Sequence, residues 1–234
     1  RSDQVVKIWG GAIGSATGGR STGESGTGGS GIGSDGELKI SGGKIEQTTG
    51  GSGIAAGGAG IYSKGDLTIS GSATIENTKG GEGKTSGGHG IYSEKELNIS
   101  GGTIGSLTTD DNGKQIPDPT TGALGGTTTA GEKGGHGIYS KGQLFISGSA
   151  DITNAKGGDA QTSGGSGIRS EKELNISGGK IQQTTGGAST DGTGGSGIHS
   201  DSTLTIDSAT IENATGGTGK QRGGTGILGR AIKI

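Results

Sequence analysis

The sequence predicts an all-β chain coiled as a right-handed parallel β-helix, a β-solenoid of about seven rungs of roughly 30 residues each. Three observations predict it. The dipeptide Gly-Ile returns at Ile32, Ile61, Ile91, Ile138, Ile168, Ile198 and Ile227, in steps of 29, 30, 47, 30, 30 and 29 residues. Each unit then carries an alternating L-x-I-S and a further Ile, a period of two that belongs to strands. Finally, 61 of 234 residues are Gly and 24% are hydrophobic, too little for an ordinary globular core but enough for a thin core shared between stacked rungs.

The first strand begins at Gly-Ile, as in GIYS from Gly60, and stacks the seven isoleucines named above. The second stacks Val6, Leu38, Leu67, Leu97, Leu144, Leu174 and Leu204, with Ile8, Ile40, Ile69, Ile99, Ile146, Ile176 and Ile206 beside them. The third stacks Ile13, Ile45, Ile75, Ile104, Ile152, Ile181 and Ile211. Strict alternation would turn the residues two further on inward, making a ladder of Ser15, Gln47, Asn77, Ser106, Asn154, Gln183 and Asn213. A helical reading fails because interior Gly costs about 1 kcal/mol per position in a helix and β-branched residues dominate the apolar set. Every unit closes on G-G-x-G-I, where Gly permits either positive φ or a close backbone approach. The whole chain, 1–234, reads as one domain with an insertion at about 106–133 that holds both prolines.

The units resemble a family of secreted bacterial carbohydrate-binding β-helix proteins that recognise pectin-like polysaccharides. The resemblance lies in G-I-H-S-D-S-T-L-T-I at Gly197–Ile206 and in the I-S-G-G-K-I and I-S-G-G-T-I segments, and it runs through nearly the whole chain. It implies an extracellular or cell-surface location and a polysaccharide ligand. Where that family places acidic pairs that help hold calcium, this chain has Gly-Gly-x-Gly. The acidic column Glu37, Asp66, Glu96 and Glu173 is expected to be a solvated face, with calcium as the alternative.

The residue after each Gly-Ile points outward and reads Gly33, Tyr62, Tyr92, Tyr139, Arg169, His199, Leu228. Tyr62, Tyr92 and Tyr139 form an aromatic strip, either a sugar-stacking surface or a stabilising ladder. Asp35, Lys64, Glu94, Lys141, Glu171 and Asp201 alternate in sign over the central rungs, as register control requires. His89 and His136 share one position of G-G-x-G-I without further ligands, so they are expected to be structural and no metal is assigned. Asn98, Asn175 and Asn213 lie in N-x-S/T sequons.

No catalytic constellation emerges, and a repeated column suits scaffolding or multivalent binding better than one active site. Net charge is −2 without a basic block or a membrane-length apolar run, so neither nucleic acid nor membrane insertion is expected. No cofactor is expected either. The chain enters at strand two, where V-V-K-I-W-G-G-A-I matches E-L-K-I-S-G-G-K-I, and leaves in strand two at Ile232 and Ile234. Matching phases suggest an extracellular structural subunit that stacks head to tail into a fibre. Its interface would be Val5, Val6, Ile8, Trp9, Ile227, Leu228, Ile232 and Ile234. The alternative is a carbohydrate-binding or adhesive module of a bacterial surface protein.

Overall fold

The computed structural model describes residues 4–128 and 130–234, and these form a parallel β-solenoid of about eight turns with no helix. Its three strand columns are those the sequence predicts. Strand-two segments pair in parallel from Val6–Ile8 onward, with Leu38↔Leu67, Leu67↔Leu97 and Leu97↔Leu144 in register. Strand-one segments pair as Ile61↔Ile91 and Ile91↔Ile138. These two columns merge through one long strand, Ile198–Ile206, so they count as a single 13-stranded sheet. Strand three forms a second sheet of nine strands. No helix of the described residues is long and apolar enough to cross a membrane.

The core is a single file of Ile and Leu on each column. Leu67, Ile69, Ile75 and their equivalents from Leu38 to Leu204 are fully enclosed. Between strands one and two runs a column of buried serines, from Ser34 to Ser200. Each bridges two rungs: Ser63 Oγ lies 2.9 Å from both Gly36 O of the preceding rung and Asp66 O of its own turn. One hydroxyl hydrogen is thus shared between two carbonyls that also accept backbone N–H groups, Gly36 O from Gly65 and Asp66 O from Leu38.

Strand three departs from the expected alternation. Its inward residue after the isoleucine is three positions on, not two. Thr48, Thr78, Ala123, Ala155 and Thr184 are buried, whereas Ser15, Gln47 and Asn213 are exposed, and Asn77 and Gln183 are half-buried. The ladder skips Glu46 and Glu76 between Ile45↔Ile75 and Gln47↔Asn77. The strand bends there, which puts two consecutive side chains on the outside, and alternation holds only along a straight strand. The amide ladder is therefore an outer column. Asn154 is enclosed, but by the insertion, where its Nδ2 donates to Thr121 O at 2.8 Å.

That insertion leaves the ladder after Gly105 and returns at Gly122–Leu124, which pairs Gly122↔Asn77 and Ala123↔Thr78. Gly122, not Ser106, takes the outer position. Between them Leu107–Thr109 and Gln115–Pro117 form an antiparallel hairpin. Ser106 Oγ and Thr121 Oγ1, 2.9 Å apart, close its base.

The glycines divide into two uses. Gly43, Gly71, Gly102, Gly148 and Gly179 turn the corner between strands two and three at φ values from 59° to 81°. The paired glycines serve close approach instead. Gly51 N–H donates to Gly29 O at 2.7 Å, Gly58 N–H to Gly51 O at 2.8 Å and Gly81 N–H to Gly58 O at 2.8 Å, and the zigzag continues to Gly224. The arm leaving strand three and the arm entering strand one thus interleave along the whole axis. A Cβ at Gly57 would collide with Gly81 O, and one at Gly50 with Gly58 O. Beyond this seam the short loops stack through single bridges, such as Ala56↔Ser86 and Ser86↔Lys133.

Candidate functional site

The outward column of strand one stands in the predicted register, with Gly33↔Tyr62↔Tyr92↔Tyr139↔Arg169↔His199↔Leu228 on successive rungs. The rings meet as a ladder: Tyr62 and Tyr92 have centroids 5.5 Å apart at 43°, and Tyr92 and Tyr139 lie stacked at 5.2 Å. From Tyr62 to Arg169 the outward side chains reach the charged turn of the next rung, whereas His199 meets Asp201 of its own rung at 3.0 Å. Tyr62 donates its hydroxyl hydrogen to Glu94 at 3.1 Å, Tyr139 donates to Glu171, and Arg169 binds Asp201 at 2.8 Å. At Tyr92 the next turn supplies Lys141, whose Nζ lies 5.5 Å from the ring centroid and 4.0 Å from Glu94 Oε1. Burial and the Glu94 hydrogen bond push the Tyr62 phenol up to about 12, so it remains a donor. Burial and Glu171 push the Tyr139 phenol upward as well.

His89 and His136 complete the cluster from the neighbouring loop. Their rings stack 5.1 Å apart at 4°, and both lie within 5 Å of Tyr139. Each Nδ1 accepts a backbone N–H from the next rung: His136 N–H reaches His89 at 2.9 Å, and Ser166 N–H reaches His136 at 2.8 Å. An Nδ1 that accepts carries no proton, so both rings are neutral with hydrogen on Nε2. Burial, with Arg169 and Lys141 nearby, lowers His89 to about 3. Burial and the His89 neighbour lower His136 too.

The imidazoles cover Tyr139, which is only 7% exposed. The accessible part of the strip is therefore Tyr62 and Tyr92. Beside them the variable residue of G-G-x-G-I is small, Ser30 and then Ala59, until His89 closes the row. This leaves an open groove of about 300 Å³. Tyr62, Tyr92 and Glu94 form one wall, Gly57, Gly58, Gly87 and Gly88 contribute backbone, and Ser30, Ser86 and His89 are among the remaining lining groups. A flat backbone surface against aromatic faces, with a carboxylate and hydroxyls at the rim, is suited to a polyhydroxylated ring. The small residues at the third position of G-G-x-G-I were the available sequence signal for the groove. Only their alignment against the tyrosines gives them meaning.

The remaining candidate residues lie elsewhere. Among the described residues no group of three or more His, Cys, Asp or Glu is arranged to hold a metal ion. Members of the acidic column are engaged separately: Glu37 with Lys39 at 2.9 Å, Asp66 with Glu96 N–H at 3.2 Å, and Glu173 with Gln143 Nε2 at 3.1 Å. They do not converge as calcium requires. Asn98 and Asn175 flank Phe145 on strand two, half-buried, whereas Asn213 is exposed and accepts from Thr215 Oγ1 at 2.9 Å. Trp9 is 71% exposed with Lys7 Nζ 5.4 Å from its ring centroid. Val5, Leu228, Ile232 and Ile234 are exposed as well, while Val6, Ile8 and Ile227 pack against the core.

No protein-family model matches the chain, and neither curated proteins nor solved structures give a match.

Proposed function

We propose that this chain is a non-catalytic carbohydrate-binding β-solenoid, with the groove beside Tyr62 and Tyr92 as its site. The observation that carries the reading is the pairing of two accessible tyrosines with a groove formed partly by glycine backbone. Stacking on a sugar face supplies apolar contact, while Glu94, Ser30 and Ser86 offer partners to hydroxyls. The resemblance to secreted bacterial pectin-binding β-helices, and an extracellular or cell-surface placement, belong to the same proposal. Affinity electrophoresis in gels loaded with polysaccharides tests it. The wild type is expected to be retarded by at least one glycan, and Tyr62→Ala with Tyr92→Ala to run free while keeping the same melting profile. Equal retardation of both proteins rejects the groove.

A second reading is a structural subunit that polymerises head to tail. Ala231, Ile232 and Lys233 pair with Thr203, Leu204 and Thr205, and Val6–Ile8 pair with Leu38–Ile40, so both outermost described rungs carry strand-two backbone. A parallel rung of a second copy could add to either outer edge by backbone hydrogen bonds. Rungs would then repeat at ~4.8 Å along the axis and across each junction. Electron microscopy of the purified chain distinguishes the readings. Filaments with that axial repeat support the second, and single short rods at high concentration reject it.

A further inference from the structure

We propose that Glu94 determines ligand charge in the groove, so that it takes uncharged sugars and rejects uronates. The inference rests on the carbohydrate-binding reading above and names the class of sugar. It runs against what the pectin resemblance would imply.

Of the side chains that line the groove, Glu94 alone carries a formal charge at neutral pH. His89, at the closed end, spends its Nδ1 lone pair on the His136 N–H and is neutral. Glu94 accepts the Tyr62 hydroxyl at 3.1 Å, which fixes the carboxylate at the edge of the ring on which a sugar would lie. It remains 35% exposed and so can take further donors. A neutral pyranose offers O–H donors to it. A uronate offers a second carboxylate, with no lining cation to neutralise the pair. The nearest cation, Lys141, lies outside the lining, 4.0 Å from Glu94 Oε1 and turned over Tyr92. It offsets part of the Glu94 charge, and the carboxylate remains the charged group of the lining itself. Lys64, in the turn that follows Tyr62, is exposed and also outside the lining, and Arg169 is held by Asp201 two rungs beyond Tyr92, past the imidazole stack.

The test compares retention by neutral polysaccharides (glucans, mannans and xylans) with retention by polygalacturonate and alginate, for the wild type and for Glu94→Gln. The glutamine keeps the shape and still accepts from Tyr62, and a matched melting profile confirms the fold. Expected are wild-type retention on a neutral glycan with none on the polyuronates, and a gain of roughly tenfold or more in polyuronate affinity for Glu94→Gln. Wild-type binding to polyuronates as tight as to any neutral glycan overturns the inference and leaves the carbohydrate reading standing. So does an unchanged neutral-to-uronate ratio in Glu94→Gln. If the wild type binds neither set, the carbohydrate reading fails and this inference fails with it.

Discussion

Tyr139 hands its hydroxyl hydrogen to Glu171, a residue in the turn of the following rung. Tyr62 and Glu94 repeat the relationship, and Arg169 and Asp201 repeat it with a full charge. The acids of the alternating column are thus partners for the preceding outward residue, and the lysine at 141 falls where a ring face takes a cation. A double-mutant cycle of Tyr139→Phe and Glu171→Ala should give a coupling of about 1–2 kcal/mol, since one partner is charged but partly solvated. Additive changes in urea midpoint would show that the bond carries no stability.

The glycine seam predicts a sharp positional contrast. Gly57→Ala forces a Cβ into Gly81 O and should cost at least about 1–3 kcal/mol, the usual range for overpacking. Gly23→Ala meets nothing within 4 Å and should be close to neutral. Chemical denaturation of the two variants measures this, and similar midpoints would mean that the arms can part without cost.

Two equivalent threonines should respond with opposite sign. Thr78 Oγ1 donates to Gly90 O at 2.8 Å, whereas the buried Thr48 Oγ1 has no hydrogen-bond partner among the described residues. Thr78→Val should destabilise by about 1 kcal/mol, and Thr48→Val should stabilise by a similar amount, because it removes a desolvated hydroxyl of nearly the same size. Calorimetric melting points decide it, and a loss at both positions would contradict the bonding pattern.

Acid should weaken the fold through the imidazole stack. His89 is lowered to about 3 from an unfolded value near 6.5, and His136 is lowered as well. The unfolded chain therefore binds more protons below about pH 6.5, and stability present above that pH is lost as pH falls toward 3. For His89 the loss at pH 5 is at most about 2 kcal/mol. Replacing both histidines by Ser, the residue at Ser166 and Ser196, should flatten the melting temperature between pH 7 and pH 4.5. An unchanged slope would place the acid sensitivity elsewhere.

The hairpin should be removable. A Cβ on Gly105 would lie 3.2 Å from Gly122 Cα, so the two glycines already stand as chain neighbours do. Deleting 106–121 restores the spacing of Ile75 to Thr78 and exposes the Asn154 amide to water. The deletion should fold with a melting temperature within a few degrees of the parent, because long surface insertions cost little. Loss of the cooperative transition would assign the hairpin a role in closing its rung.

The sequence alone determined the rung length, the three strand columns and the register of the Ile and Leu that recur from rung to rung. Each is a spacing along the chain, and a repeated apolar residue has one economical place, above its equivalent. The outward tyrosine column was legible for the same reason. Tertiary structure decided which residues around those columns are covered. A bend at Glu46 and Glu76 turned Gln47 and Asn77 outward and Thr48 and Thr78 inward. Imidazoles from a different loop buried Tyr139 and left Tyr62 and Tyr92 to line the groove. The paired glycines proved to serve close approach and not positive φ, because their contacts come from the opposite arm of the loop and from adjoining rungs. Periodicity reports what recurs along one strand. Covering and contact depend on a second segment arriving from elsewhere in the coil, and on the angle at which the chain turns to meet it.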